Sequence, residues 1–234
     1  MRNFKALFFD IDGTLVSFNT HRIPDSTVQA LRAAKQKGVM VFISTGRPIH
    51  IINNLGQIDD LIDGYITTNG AYCFIGKEQV CMNAISEDEV AVIMDACRQW
   101  DRPIVMSGKD DVAVFNYKQD VDDIFNKWLG VSCIDYSLPT ERLLCKPILQ
   151  MTPFISPSQE EELMALLPGC TSGRWTPQFT DITCSKADKG KGLAAMARHL
   201  GFDIHDTMAF GDGGNDTPIL RAAGIGVAMG NGCD

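Results

Sequence analysis

Two aspartates one residue apart, Asp10 and Asp12, follow the apolar run Ala6-Leu7-Phe8-Phe9 and precede Gly13 and Thr14. The run reads as a fully buried strand. Side chains alternate along a strand, so Asp10 and Asp12 point to one side and Ile11 to the other. Two carboxylates this close repel unless a cation or a shared proton sits between them. Mg2+ suits them, being a hard ion held by one or two carboxylates together with phosphate and water. A solvated Asp-Gly turn is the plainer reading of these residues taken alone. Asp212, in the glycine-rich stretch Gly211-Asp212-Gly213-Gly214-Asn215-Asp216, could complete such a site. Asn215 could donate to a phosphate oxygen or orient Asp10. Asp216 could belong to the site or simply cap a helix starting at Thr217. Thr45 and Gly46 offer a hydroxyl and an N–H to an anion, with ordinary helix capping by Ser44 or Thr45 as the alternative. Lys186, Lys189 and Lys191 cluster at a helix start, where a cation opposes the helix dipole, so a nearby anion would account for them better than local stability. Only one need point inward, and Lys189 is the one expected. Arg47 could reach a substrate oxygen or remain a surface charge. Asn69 forms an ordinary turn pair with Gly70, with a pocket-lining role as the alternative.

These residues are positioned by a repeating grammar. A helix after Pro24, capped by Asp25 or Ser26, carries Val28, Leu31 and Ala34 and stops at Gly38. A buried strand over Val39 to Ile43 leads into Ser44-Thr45-Gly46-Arg47-Pro48. Pro48 suits a first helical turn, so a helix with Ile49, Ile52 and Leu55 is expected next. A short strand, Tyr65-Ile66-Thr67, ends at Thr68-Asn69-Gly70-Ala71. Strand–helix alternation with right-handed crossovers builds a parallel sheet, and ligands of such sheets gather at the carboxyl ends of the strands. From about Met82 the pattern changes. Ser86 and Glu89 read as a capping box before a helix with Val90, Ile93, Met94 and Cys97 on one face. A hairpin of Ile104 to Met106 and Val112 to Phe115 follows. Next come a helix with Val121, Ile124, Phe125 and Trp128, a strand over Ile148 to Met151, and a helix over Ser156 to Leu167. Two strands, Cys170 to Trp175 and Phe179 to Cys184, close this α+β stretch. The first grammar then resumes: a helix over Gly192 to Leu200, a strand over Thr207 to Phe210, a helix near Thr217 and a strand over Gly224 to Met229. The expected organisation is a split, Rossmann-like doubly wound α/β core (1–82 and 186–234) with an inserted α+β domain (83–185). The chain ends at Asp234 with that last strand uncovered, so either the chain is shortened or the sheet edge is unusually bare.

Composition bounds the partners. The 234 residues carry a net charge of −8, with 45% hydrophobic and 21% charged residues, as in ordinary globular proteins. The acidic balance speaks against nonspecific nucleic-acid or anionic-membrane binding, while leaving room for a local cationic pocket. No apolar run suits a membrane span, no signal-peptide pattern precedes the first strand, and no obligate protein partner is indicated. Cys73, Cys81, Cys97, Cys133, Cys145, Cys170, Cys184 and Cys233 form no C-x-x-C and no zinc spacing with histidine. They read as reduced residues, mostly in the core, of a cytoplasmic protein.

Asp10–Thr14 (DIDGT), Ser44–Arg47 (STGR), Asp188–Ala194 (DKGKGLA) and Gly211–Asp216 (GDGGND) resemble, in order, the four motifs of the haloacid dehalogenase superfamily. Thr67–Ala71 (TTNGA), with an insert between the second and third motifs, resembles its Cof-type phosphatases with a C2B cap. The resemblance implies a Mg2+-dependent phosphatase acting on a small phosphorylated metabolite, a hexose or pentose phosphate by preference. It implies Asp10 as nucleophile, passing through an aspartyl-phosphate, and Asp12 as general acid and base. Mg2+ would be held by Asp10, the backbone carbonyl of Asp12 and Asp212. The phosphate would be cradled by Thr45, Gly46, Lys189, Asn215 and the Ile11 N–H, with Asp216 supporting. The insert is then a specificity cap. Arg174, Trp175, Phe179 and Asp181 offer a cation, two flat apolar faces and an acceptor, a set suited to a small polyol, or alternatively packing and surface charge. A phosphotransferase or mutase using the same site, and a phospho-accepting signalling module, are the competing functions.

Overall fold

The computed structural model describes residues 4–132 and 134–232. The expectations placed on Cys133, Cys233 and Asp234 lie outside the described residues. The chain divides into two units, residues 1–47, 53–82 and 187–234 forming one, and residues 48–52 and 83–186 the other.

The first unit is built on a seven-stranded sheet. In chain order its first elements are β1 (Ala6–Phe9), α1 (Asp25–Gln36), β2 (Met40–Ser44), β3 (Gly64–Thr67), β4 (Tyr72–Ile75) and β5 (Glu78–Met82). The second unit follows with α2 (Glu87–Gln99), β6 (Ile104–Gly108), β7 (Val112–Phe115), α3 (Gln119–Asp122), α4 (Thr140–Leu144), β8 (Ile148–Pro153), α5 (Pro157–Met164), β9 (Cys170–Thr176) and β10 (Phe179–Cys184). The chain returns to the first unit with α6 (Lys189–Leu200), β11 (Thr207–Gly211), α7 (Thr217–Ala222) and β12 (Ile225–Ala228). The larger sheet runs β12-β11-β1-β2-β3-β4-β5. The pairings from β12 to β3 are parallel, and β4 and β5 add an antiparallel hairpin. β1 lies between β11 and β2, with Phe8 opposite both Ala209 and Phe42. The Phe8 and Phe42 rings stack at 4.8 Å, and α6 and α7 seal this face with Leu193, Met196 and Ile219. Burying such side chains is worth roughly 1.5–3 kcal/mol each and fixes the strand register. Register is what matters for chemistry. Phe9 pairs with Phe210 and Ile43, so the residues following all three strands emerge side by side at one sheet end.

The second unit has a five-stranded sheet in the order β7-β6-β8-β10-β9, antiparallel at each pairing. One face packs Ile104, Met106, Met151 and Ile182 under α2 and α5, through Val90, Ile93, Met94, Cys97 and Leu163. On the other face lie Val105, Val112, Val114, Phe154 and Phe179.

Three local expectations fail, and one element was not expected. No α-helix follows Pro48; a single 3-10 turn, Ile49–Ile51, is all that forms before the chain loops on to a second one at Asp59–Leu61. Isoleucines restricted at χ1, an Asn-Asn pair and Gly56 make this a poor helix, and Ile51 instead joins the apolar cluster of the second unit. The β4–β5 hairpin went unanticipated, although its turn contains Gly76 at φ 57°. The helix expected to carry Val121 to Trp128 is α for one turn and then π-helical over Asp123–Trp128, with Trp128 exposed. Glu89 does not complete a capping box; its carboxylate accepts from the Ser86 hydroxyl and from the Gly169 N–H. Ser156 and Gln159 do form one at the start of α5. Of the described cysteines, Cys73, Cys97 and Cys170 are buried, Cys145 is exposed, and none is in a disulfide.

Candidate active site

Every polar group gathered at the end of β1 comes from the first unit. The Asp10 N–H donates to Phe210 O at 3.0 Å, which ties the acidic turn to β11. Gly13 has φ +89°, and a Cβ there would fall onto the Asp212 carboxylate, so the turn requires glycine twice over. The Asn231 side-chain amide donates to Gly13 O at 3.0 Å, and Thr14 Oγ1 donates to Asp212 Oδ1 at 2.6 Å. These two braces lie 218 and 198 residues from their partners in sequence, so no local pattern announces them.

Lys189 is the lysine that points inward. It is fully buried at the start of α6, and its ammonium donates to Asp10 Oδ1 at 2.7 Å and Asp216 Oδ1 at 2.5 Å. Lys191 instead pairs with the helix cap Asp188 at the surface. Burial acts against the Lys189 charge, but the Asp10 and Asp216 carboxylates outweigh it and hold its pKa above the usual lysine value. Asp216 does more than open α7. Its Oδ2 accepts the N–H groups of Asp212 and Gly213, at 3.0 and 2.9 Å, which fixes the glycine-rich loop. Burial raises the pKa of Asp10, with Lys189 pulling it down and Asp216 and Asp12 pushing it up. Burial likewise raises Asp212, partly offset by the Thr14 hydrogen bond.

Asp10, Asp212 and Asp216 each bring a carboxylate oxygen within 4.8 Å of the others. Both oxygens of Asp216 are already engaged by donors. Asp10 and Asp212 each keep one oxygen that takes no donor among the described residues. An all-oxygen donor set between carboxylates that burial keeps from ionising easily fits a hard divalent cation, which would reverse both shifts. The Asp12 carboxylate stands apart from this cluster. It receives the Arg47 guanidinium in a two-point pair, Nε to Oδ2 at 2.6 Å and Nη2 to Oδ1 at 2.9 Å. Arg47 is thus neither a lone surface charge nor aimed only at a substrate.

The turn after β2 presents Thr45 and Gly46. Thr45 is buried, its N–H donates to Ile66 O, and its hydroxyl accepts the Arg47 N–H at 3.1 Å, so the hydroxyl proton stays available. The N–H groups of Ile11 and Gly46 have no acceptor among the described residues. The turn after β3 holds Thr68, Asn69 and Gly70 at positive φ. Asn69 Oδ1 accepts from Asn215 Nδ2 at 3.0 Å, linking this turn to the glycine-rich loop. Ser44 Oγ and Thr68 Oγ1 are buried without a partner among the described residues; sequence reading considered Ser44 only as a helix cap and gave Thr68 no role, although each is a hydroxyl at a strand end.

The four residues expected to read a polyol belong to the second unit. Arg174 is committed to local structure: Nε meets Glu160 at 2.6 Å, and Nη1 and Nη2 donate to the carbonyls of Thr176, Pro177 and Ile155. Phe179 is buried in the apolar cluster. Asp181 is buried on β10 and accepts from Thr152 Oγ1 at 2.7 Å and Gln150 Nε2 at 3.0 Å. The half-exposed Trp175 turns its indole N–H toward Asp181 Oδ2 at 3.4 Å.

Comparison with known proteins fits this geometry. The sequence profile of the haloacid dehalogenase-like hydrolases matches residues 7–234. A solved structure of the subclass IIB sugar phosphatase BT4131 superposes with a TM-score of 0.91 at 48% identity, covering 98% of this chain and 88% of that one. The phosphatase BT1666 of Bacteroides thetaiotaomicron superposes with a TM-score of 0.87 at 32% identity, covering 100% of this chain and 86% of that one. In sequence, the 5-amino-6-(5-phospho-D-ribitylamino)uracil phosphatase YcsE of Bacillus subtilis is 27% identical over 233 residues, 98% of this chain and 85% of that protein. No helix among the described residues is long and apolar enough to cross a membrane.

Proposed function

The chain belongs to the haloacid dehalogenase-like hydrolases and is a phosphatase, and from that premise we propose that it hydrolyses phosphomonoesters of sugars or related polyols through a phosphorylated Asp10. The observation that carries the reading is Lys189, buried between Asp10 and Asp216 in a sheet end that also supplies Thr45 and Gly46. A phosphate monoester is a dianion that a carboxylate approaches only where its charge is offset. Lys189 supplies one positive charge at the site. The hydroxyl of Thr45, the N–H groups of Gly46 and Ile11, and Asn215 supply neutral donors. Asp10 and Asp212, with the Asp12 carbonyl that the family resemblance implies, would hold Mg2+. When bound, Mg2+ neutralises developing charge on the phosphoryl oxygens.

In this reading an Asp10 oxygen forms a bond to phosphorus as the bond to the leaving alcohol breaks. Asp12 gives its proton to that alcohol, then takes one from the water that attacks the aspartyl-phosphate, releasing phosphate and regenerating Asp10. Arg47 engages both Asp12 oxygens, so in this reading one of the two bonds opens when Asp12 carries the proton, and the other keeps Asp12 in place. The 83–186 insert is read as the cap that selects the alcohol. Relatives named for sugar phosphates and for a ribityl phosphate support a polyhydroxylated leaving group. The test is phosphate release from a panel of sugar phosphates with Mg2+ and with EDTA, for wild type and Asp10→Asn. Release that needs Mg2+ and vanishes in the variant is expected. Near-normal release from Asp10→Asn refutes the assignment.

A further inference from the structure

The β4–β5 hairpin sets two cysteines opposite each other. Cys73 on β4 pairs in register with Cys81 on β5, and the ladder shifts immediately after this pair. Directly opposed residues on antiparallel strands share a face, with Cα atoms about 4.5 or 5.5 Å apart, and both spacings lie within the range a disulfide spans. Cys73 belongs to the apolar cluster that α6 seals, and Cys81 packs against that cluster. The Cys73 thiol proton has two acceptors, Gly70 O at 3.8 Å and the Cys81 sulfur. The hydrogen bond between the sulfurs holds the Cys81 pKa below the usual thiol value, against the effect of burial, and holds Cys73 above it. Access separates them too: Cys73 is fully buried, whereas Cys81 is partly exposed on the strand at the sheet edge. A second opposed pair, Cys170 and Cys184, joins β9 to β10. There burial and the Glu89 carboxylate push the Cys170 thiol up to about 12, which keeps it protonated and a poor nucleophile.

The buried sulfur of the hairpin pair lies next to the catalytic sheet end. The turn at Thr68–Gly70 donates the Thr68 and Asn69 N–H groups to Arg47 O and Thr45 O. A Cβ on Gly70 would fall on the Asp188 carbonyl, at the cap of α6. A Cβ on Gly192, on the same helix as Lys189, would come within 3.2 Å of the Cys73 sulfur. Cys73 is thus wedged between the turn that braces Thr45 and the helix that carries Lys189. We propose that Cys81 and Cys73 form an oxidation site, where a hydroperoxide reacts at Cys81, the pair closes to an intramolecular disulfide, and the displaced Cys73 sulfur disturbs the turn and slows turnover. With hydrogen peroxide, the Cys81 thiolate attacks one oxygen. The S–O bond forms, the O–O bond breaks, and hydroxide leaves, taking up the thiol proton as water. The Cys73 sulfur then attacks the Cys81 sulfenic acid. The S–S bond forms, the S–O bond breaks, and a second water leaves with the Cys73 proton. Two thiols have lost two electrons and two protons, and one peroxide has become two waters. The effect on turnover rests on the phosphatase reading; the disulfide itself does not.

The test treats the reduced protein with hydrogen peroxide, blocks the remaining thiols and maps tryptic peptides without reduction. Cleavage at Lys77 leaves Cys73 and Cys81 on separate peptides. The expected result is a linked Cys73–Cys81 peptide pair that dithiothreitol separates, with Cys170 and Cys184 still thiols. Peroxide treatment that leaves Cys73 and Cys81 unlinked, or that links Cys170 to Cys184 first, overturns the site. Turnover of p-nitrophenyl phosphate should fall severalfold as the linked pair accumulates and recover with dithiothreitol. It should stay constant in peroxide-treated Cys81→Ser, with far-ultraviolet circular dichroism retained. The same loss in Cys81→Ser, or no loss in fully linked wild type, overturns the coupling to the turn. A protein that hydrolyses no ester yet forms the linked pair supports the site, and only the phosphatase reading has then failed.

Discussion

At the scale of single residues, the site separates into two ionic units with different work. Lys189 joins Asp10 and Asp216, and Arg47 joins Asp12. The second pair makes a prediction that the first does not. If Asp12 gives a proton to the leaving oxygen and Arg47 only holds it, Arg47→Ala should slow esters of poor leaving groups most. Sugar phosphates should lose roughly 10²-fold in kcat or more, the usual worth of a positioned general acid. p-Nitrophenyl phosphate, whose leaving group needs no proton, should lose much less, and steady-state kinetics on the two substrates checks this. An equal loss on both would place Arg47 on the phosphate instead. The residue types were legible in sequence: two acids at a strand end, a threonine and glycine at another, an inward lysine among three. Their partners were not. Arg47 lies 35 residues from Asp12, and Lys189 lies 179 from Asp10, so only the sheet register brings them together.

At the scale of elements, strand cores were read well because buried runs such as Ala6–Phe9 and Met40–Ser44 have no competing pattern. The segment after Pro48 misled because its apolar spacing resembles a helix, while Ile51 is spent on packing in the other unit. The β4–β5 hairpin hid because its strands, Tyr72–Ile75 and Glu78–Met82, are short and lack clean alternation. The polar row on β8 and β10 carries a pH prediction. Burial raises Asp181 to about 6 from its ordinary 3.8, with Thr152 and Trp175 pulling the other way. In the unfolded chain Asp181 ionises first as pH rises, so the native state holds the extra proton between the two values. Stability from this group is therefore greatest below about 3.8 and falls as pH rises to about 6, beyond which the loss is constant. The shift corresponds to a loss on the order of 3 kcal/mol. Asp181→Asn lacks this titration. Urea unfolding of both proteins at pH 4.5 and 7.5 should show the variant gaining on wild type at the higher pH. A gap between them that does not move with pH would contradict the buried, ionisable Asp181.

At the scale of the whole molecule, a net charge of −8 coexists with a site for which we propose a dianionic substrate, and in that reading the conflict is resolved locally. Lys189 and Arg47 sit at the one sheet end where four strand termini converge. The chain leaves this sheet after β5 and returns at α6, so the acidic turn and the lysine that serves it are separated by the entire second unit. The expectation of such a split came from the change of pattern near Met82 and its return near Lys186, because parallel and antiparallel sheets bury different residue spacings. The central claim is that phosphorus becomes covalently attached to Asp10. It is tested most directly by mixing the enzyme with a slight excess of a turned-over sugar phosphate, quenching in acid within one turnover, and mapping the digested peptides by mass spectrometry. Asp12→Ala serves as the form in which the adduct should persist. The expected result is one phosphoryl group on the peptide containing Asp10, transient in wild type and accumulating in Asp12→Ala. Phosphate release that proceeds with no phosphopeptide in either protein, or with the label on another residue, would contradict the account.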